Sequence, residues 1–100
     1  MIAALTFIAT MYGLGCDAPG PLTAAGTLPV PDFTIAADPA VLPLGSIVVI
    51  DGLGERQVHD RGGAVKGRHV DLFTTSCAEA RAWGRRPVRV RVIHVPRRGR

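Results

Sequence analysis

One hundred residues supply one hydrophobic core and exclude two. With 47% hydrophobic and 20% charged residues the chain is globular, and its 12 glycines and 8 prolines favour short strands and turns over long helices. The net charge of +4 gathers in Arg85, Arg86, Arg89, Arg91, Arg97, Arg98 and Arg100 and suits a polyanionic partner; with five aromatic residues, none interleaved with that run, a stacking platform for single-stranded nucleic acid is not expected.

The opening MIAALTFIATMYGLGC is apolar, yet it has no basic leader region, Thr6 and Thr10 interrupt it, and it is too short to cross a membrane. Residues 5–12 therefore read as a strand with Leu5, Phe7, Ala9 and Met11 on one face, and neither a signal peptide nor membrane insertion is expected. Residues 13–32, rich in Gly and Pro, read as a loop. Residues 33–37 form a short strand that Pro39 ends by forcing Asp38 into an extended conformation. VLPLG is a turn and SIVVI (46–50) a buried strand. DGLG (51–54) has hairpin chemistry and leads into ERQVHD.

HVDLF (69–73) reads as the next strand. Ser76 and Glu79 have capping-box spacing, and Gly84 closes one short helix with Ala78, Ala82 and Trp83 facing inward. PVRVRVIHV alternates, with Val88, Val90 and Val92 on one face and Arg89 and Arg91 on the other. The tail PRRGR is expected to fray. Six short strands and one helix suit a small closed barrel, because closure removes exposed edges.

Two cysteines, Cys16 and Cys77, fit no zinc spacing. Paired in an oxidising compartment, a loop of about 60 residues stabilises by roughly 4 kcal/mol in the chain-entropy picture. The alternative is two small unpaired core residues.

The chemistry concentrates in HDRGGAVKGRHVDLF (59–73). Asp60 and Asp71 flank a turn containing Gly62, Gly63 and Gly67, with Lys66 and Arg68 beside them, and Asp38 is a third acid at a strand end. If that turn folds the flanking strands together, the two carboxylates approach, one proton affinity rises, and an acid able to protonate a glycosidic oxygen results. Lys66 and Arg68 either hold an anionic substrate or oppose that shift. The plainer alternative is that the aspartates cap turns. His69 and Asp71, two apart, share a strand face, but no third ligand has suitable spacing and no metal site is expected. No Gly-x-Ser-x-Gly elbow is present.

Read in order, ATMYG, TAAG (23–26), IAADP (35–39), LPLGSIVVI (42–50), HDRGGAVKGRHVDLF (59–73) and EARAWGRRPVRVRVI (79–93) resemble the three-aspartate (3D) domain of bacterial cell-wall proteins. That family includes the MltA-like and stationary-phase-survival lytic transglycosylases, and the likeness runs over residues 8–93. The resemblance implies a mainly β fold, a six-stranded double-psi β-barrel with one short helix. It implies a single domain over 1–100, with its core at 5–95 and a basic tail at 96–100. It implies cleavage of the β-1,4 bond between N-acetylmuramic acid and N-acetylglucosamine, the muramyl 6-hydroxyl closing on its own anomeric carbon to leave a 1,6-anhydro end. Asp71 is then the general acid and base, Asp60 and Asp38 tune it and steady the oxocarbenium charge, and Lys66, Thr10 and Gly63 contact substrate. No cofactor is implied, the partner is a peptidoglycan glycan strand, and the place of action is the cell wall, as a monomer. Two positions depart from the family pattern: Arg61 replaces a frequent Thr and Ala25 a frequent Ser. A non-catalytic, expansin-like wall-binding module is the alternative, and a basic nucleic-acid-binding barrel the third.

Overall fold

The computed structural model describes residues 3–13 and 22–97. In chain order the elements are β1 (Leu5–Gly13), β2 (Thr34–Ala37), β3 (Ile47–Ile50), β4 (Gly54–Asp60), β5 (His69–Thr74), α1 (Cys77–Trp83) and β6 (Arg86–His94). The six strands close into a barrel in the order β1-β5-β2-β4-β3-β6. Pairs β1/β5 and β2/β4 are parallel and the other four antiparallel. The fold is thus mainly β, a closed six-stranded barrel with one short helix.

Strand alternation builds the interior. Phe7 and Ala9 from β1, Ile35 and Ala37 from β2, Val48 and Ile50 from β3, Val58 from β4, Val70 and Leu72 from β5 and Val90 from β6 form one buried cluster, which Leu42 joins from the β2–β3 connection. At about 25 cal/mol per Å² of apolar surface removed from water, this shared interior is the main stabilising term. The opposite faces of β1, β2 and β5 carry a second, smaller cluster of Tyr12, Ala36 and Phe73, with the two rings edge to face at 5.5 Å. Both faces of β2 are therefore covered, and all four of its residues are buried.

Three local expectations need correction. Leu5 does not share the burial of Phe7 and Ala9, being 39% exposed at the start of β1, where its only described strand partner is β6. The glycine turn does not pair β4 with β5, because β2 lies between them. Ala78 and Ala82 do not pack inward: α1 buries none of its residues completely, and both alanines are exposed. A helix of seven residues lying on the outside of a closed barrel needs one anchor rather than a full apolar face. That anchor is Trp83, which packs on the core, donates Nε1–H to the Ala9 carbonyl at 2.9 Å and carries the Arg86 guanidinium over its ring at 4.3 Å.

The helix starts as its spacing indicates, with one difference. Ser76 Oγ accepts from the Glu79 amide at 3.0 Å. The Glu79 carboxylate, instead of reaching back to Ser76, accepts from the Thr74 hydroxyl, which itself accepts from the Ser76 amide. Ser76→Ala is expected to cost about 1 kcal/mol, read as a lowered urea midpoint at unchanged slope. Gly84 ends the helix at φ 68°, a region open to glycine. Cys77 is disulfide-bonded. Cys16 and the terminal residues 98–100 lie outside the described residues.

Candidate functional site

Ala36 is the pivot of the site. It pairs with Asp71 across the antiparallel β2/β5 ladder and with Asp60 across the parallel β2/β4 ladder, where the register shifts. Two carboxylates on strands that are not neighbours in the barrel are thereby brought to either side of one methyl group. The small side chain leaves a cleft of about 300 Å³, lined by Tyr12, Ala36, Asp60, Arg61, Gly62, Gly63, Ala64, Val65 and Asp71. Arg61, Gly62 and Gly63 are shared with an adjoining hollow of about 420 Å³ that Pro39 and Lys66 complete. An acidic cleft and a cationic hollow therefore adjoin, sharing Arg61, Gly62 and Gly63 of the glycine loop as lining.

The two acids are held differently. Asp60 Oδ1 accepts from the amides of Ala24 at 3.0 Å and Arg61 at 2.9 Å, and Oδ2 accepts from the Tyr12 hydroxyl at 3.2 Å. Burial, then the Asp60 charge and hydrogen bond, then the Asp71 charge push the Tyr12 phenol far above its ordinary range, so it stays a donor. Asp71 Oδ1 instead accepts from the Thr10 hydroxyl at 2.8 Å, and Thr10 Oγ1 lies 2.7 Å from His69 Nε2. Parallel pairing of β1 and β5 sets Thr10 directly beside Asp71.

Of the residues singled out from sequence, Asp60, Asp71 and Gly63 line the cleft, Thr10 stands behind Asp71, and Lys66 lines the adjoining hollow. Asp38 is not brought to the cleft. Its Oδ1 accepts from the Ala40 amide at 3.0 Å and its Oδ2 from the Gly67 amide at 2.8 Å. Gly67 has φ 66°, so the turn it makes strongly favours glycine. Asp38 thus staples the glycine loop to the end of β2. The Gly67 and Ala40 amides, with a smaller contribution from Lys66, hold its carboxyl below the usual aspartate range. A depressed folded value stabilises above the ordinary aspartate range, and the contribution is lost as pH falls through the folded value. The Gly67 amide is therefore expected to keep its exchange protection until acidification passes below that range, and to lose it at neutral pH in Asp38→Ala, as read by amide hydrogen exchange.

Tyr12 and His69 belong to the site, although neither was singled out as a site residue. Each sits two residues from one that was, Tyr12 from Thr10 and His69 from Asp71, and period-two alternation puts both on the outward face. His59 is a support instead: it bonds Thr34 Oγ1 at 3.0 Å and Gln57 Oε1 at 3.1 Å, and its ring lies 5.9 Å from Phe33. Among the described residues no group of three or more His, Cys, Asp or Glu side chains is placed to hold a metal ion.

Known proteins place this geometry in a family. The 3D domain matches residues 33–94. The chain is 47% identical over 60 residues to the cell wall-binding protein YocH of Bacillus subtilis, covering 60% of this chain and 21% of that protein. It is 38% identical over 60 residues to the putative cell wall shaping protein YabE of the same organism, covering 60% and 15%. Escherichia coli MltA with bound chitohexaose superposes at TM-score 0.64 with 24% identity, over 83% of this chain and 30% of that one, a likeness of fold. The lytic transglycosylase LtgG of Burkholderia pseudomallei superposes at 0.60 with 27% identity, over 76% and 27%. The chain thus spans less than a third of the length of each of these proteins. Because the family match takes in β2 through β6 and α1, with both cleft carboxylates and the loop between them, this chain belongs to the 3D domain family.

Proposed function

We propose that the cleft holds a glycan strand of peptidoglycan and cleaves its N-acetylmuramic acid–N-acetylglucosamine β-1,4 bond without water, leaving a 1,6-anhydromuramyl end. One observation carries the reading: two carboxylates line one cleft in unlike surroundings. Asp60 is held in place by two backbone amides, of Ala24 and Arg61, and by the Tyr12 hydroxyl. Asp71 accepts from the Thr10 hydroxyl, a partner that can reverse its role when the carboxyl is protonated. Such a division separates an acid–base from an electrostatic stabiliser.

In this reaction Asp71 gives its proton to the glycosidic oxygen as the bond to the anomeric carbon breaks. Asp60 faces the positive charge that develops on the sugar. The muramyl 6-hydroxyl then attacks the anomeric carbon and its proton passes to Asp71, which restores the acid. Gly63 lets the strand approach the loop backbone closely, Lys66 and Arg61 face anionic groups of the wall, and Asp38 fixes the loop that carries them. The place of action is the cell wall, outside the cytoplasmic membrane, which agrees with relatives named for wall binding and wall shaping.

A second reading is binding without cleavage. It is favoured by the name of the 47%-identical relative, a cell wall-binding protein. Incubation with purified peptidoglycan separates the two. Soluble fragments ending in anhydromuramyl residues support cleavage, whereas sedimentation with an intact wall supports binding alone.

A further inference from the structure

We infer that His69 is a second proton site of the cleft, joined to Asp71 through the Thr10 hydroxyl, so that the two titrate as one unit. The inference deepens the acid–base role proposed for Asp71. Three side chains from two parallel strands form a row: His69 Nε2, Thr10 Oγ1 at 2.7 Å, and Asp71 Oδ1 a further 2.8 Å on. His69 and Asp71 leave β5 on the face opposite Val70 and Leu72, and Thr10 is the register partner of Asp71.

A threonine hydroxyl has one proton to give and lone pairs to receive. Two arrangements therefore satisfy both contacts. In the first, His69 Nε2–H donates to Thr10, and Thr10 donates to an ionised Asp71. In the second, a protonated Asp71 donates to Thr10, and Thr10 donates to a bare Nε2. Starting from an imidazolium, passage from first to second breaks the Nε2–H bond and the Thr10 O–H bond. It makes a new Thr10 O–H bond and an Asp71 O–H bond. One proton leaves the ring, one arrives at the carboxyl, the hydroxyl is regenerated and the net charge is unchanged.

The consequence concerns where a proton is on hand. Joined by the hydroxyl, a proton held at the ring can pass to the carboxyl without entering the solvent. Among the described residues, three titratable or charged groups line the cleft with Asp71. Tyr12 comes from β1, Asp60 from the end of β4 and Arg61 from the loop, while β2 presents Ala36 and Ala37 alongside β5. Arg68 precedes His69 in the chain. His69 acts through Thr10 and is a positioning residue for the proton on Asp71.

Carbon NMR of the chain without glycan, following the Asp71 carboxyl and the His69 ring against pH, tests this without reference to cleavage. The Asp71 signal is expected to show two inflections, the upper one coinciding with the titration of the His69 ring. Thr10→Val and His69→Gln are each expected to erase the upper inflection, and Thr10→Ser, which keeps the hydroxyl, to retain it. A single Asp71 inflection in the wild type, or an upper inflection that survives Thr10→Val, overturns the inference. An intact wall after incubation with a protein that shows the coupled titration removes the proposed cleavage and leaves the coupling standing.

Discussion

Asp71→Asn is expected to reduce the release of anhydromuramyl ends by about 10²–10⁴-fold, the usual worth of a positioned acid–base group. The substitution is close to isosteric. The amide oxygen can still accept from Thr10, whose hydroxyl now donates to Asp71 Oδ1. Barrel stability and affinity for the wall should therefore change little, while the capacity to give and take back a proton is gone. Asp60→Asn has a different signature. Asp60 ties the 22–27 turn, the glycine loop and β1 together through Ala24, Arg61 and Tyr12. Its amide loses the fixed charge and offers an N–H where the buried Tyr12 hydroxyl or a backbone donor needs an acceptor. Both activity and melting temperature should fall. Product mass and thermal melts on the two variants distinguish a proton donor from a clamp.

Phe7→Ala is expected to cost about 3–5 kcal/mol, as deletion of a fully buried aromatic side chain does. Phe7 is 1% exposed, pairs with Val88 of β6 and fills the barrel interior. Against a total stability of about 5–15 kcal/mol the loss leaves little margin. In a domain of this size each kcal/mol lowers the melting temperature by about 4–8 °C. The damage should reach the cleft, because β1 also carries Thr10 and Tyr12. Leu5→Ala on the same strand, at a side chain 39% exposed, is the comparison and should cost far less. Urea denaturation of the pair gives the difference.

What was legible in the sequence follows from the range of each signal. Apolar alternation is local, so the strand positions and the wet face of β6 with Arg89 and Arg91 were readable. Cap chemistry is local as well, and Ser76 is the N-cap. Strand order is not local. The insertion of β2 between β4 and β5 depends on closure of the whole barrel, and nothing in residues 58–73 announces it. Ala36 is the clearest case. In the sequence it is one small residue in IAADP, and only its double register with Asp60 and Asp71 makes it the floor between two acids. Asp38 shows the converse. An aspartate before proline among three acids suggests shared chemistry, but its carboxylate is committed to the amides of Ala40 and Gly67. Tyr12 and His69 were one alternation step from residues already singled out, and partner identity, not periodicity, decided their place.

Digestion of purified peptidoglycan in heavy-oxygen water tests the central claim most directly. Intramolecular attack by the muramyl 6-hydroxyl predicts soluble fragments lighter by one water than hydrolysis products and free of the heavy isotope. Fragments that carry the isotope at a new reducing end, or a wall that yields none, contradict it.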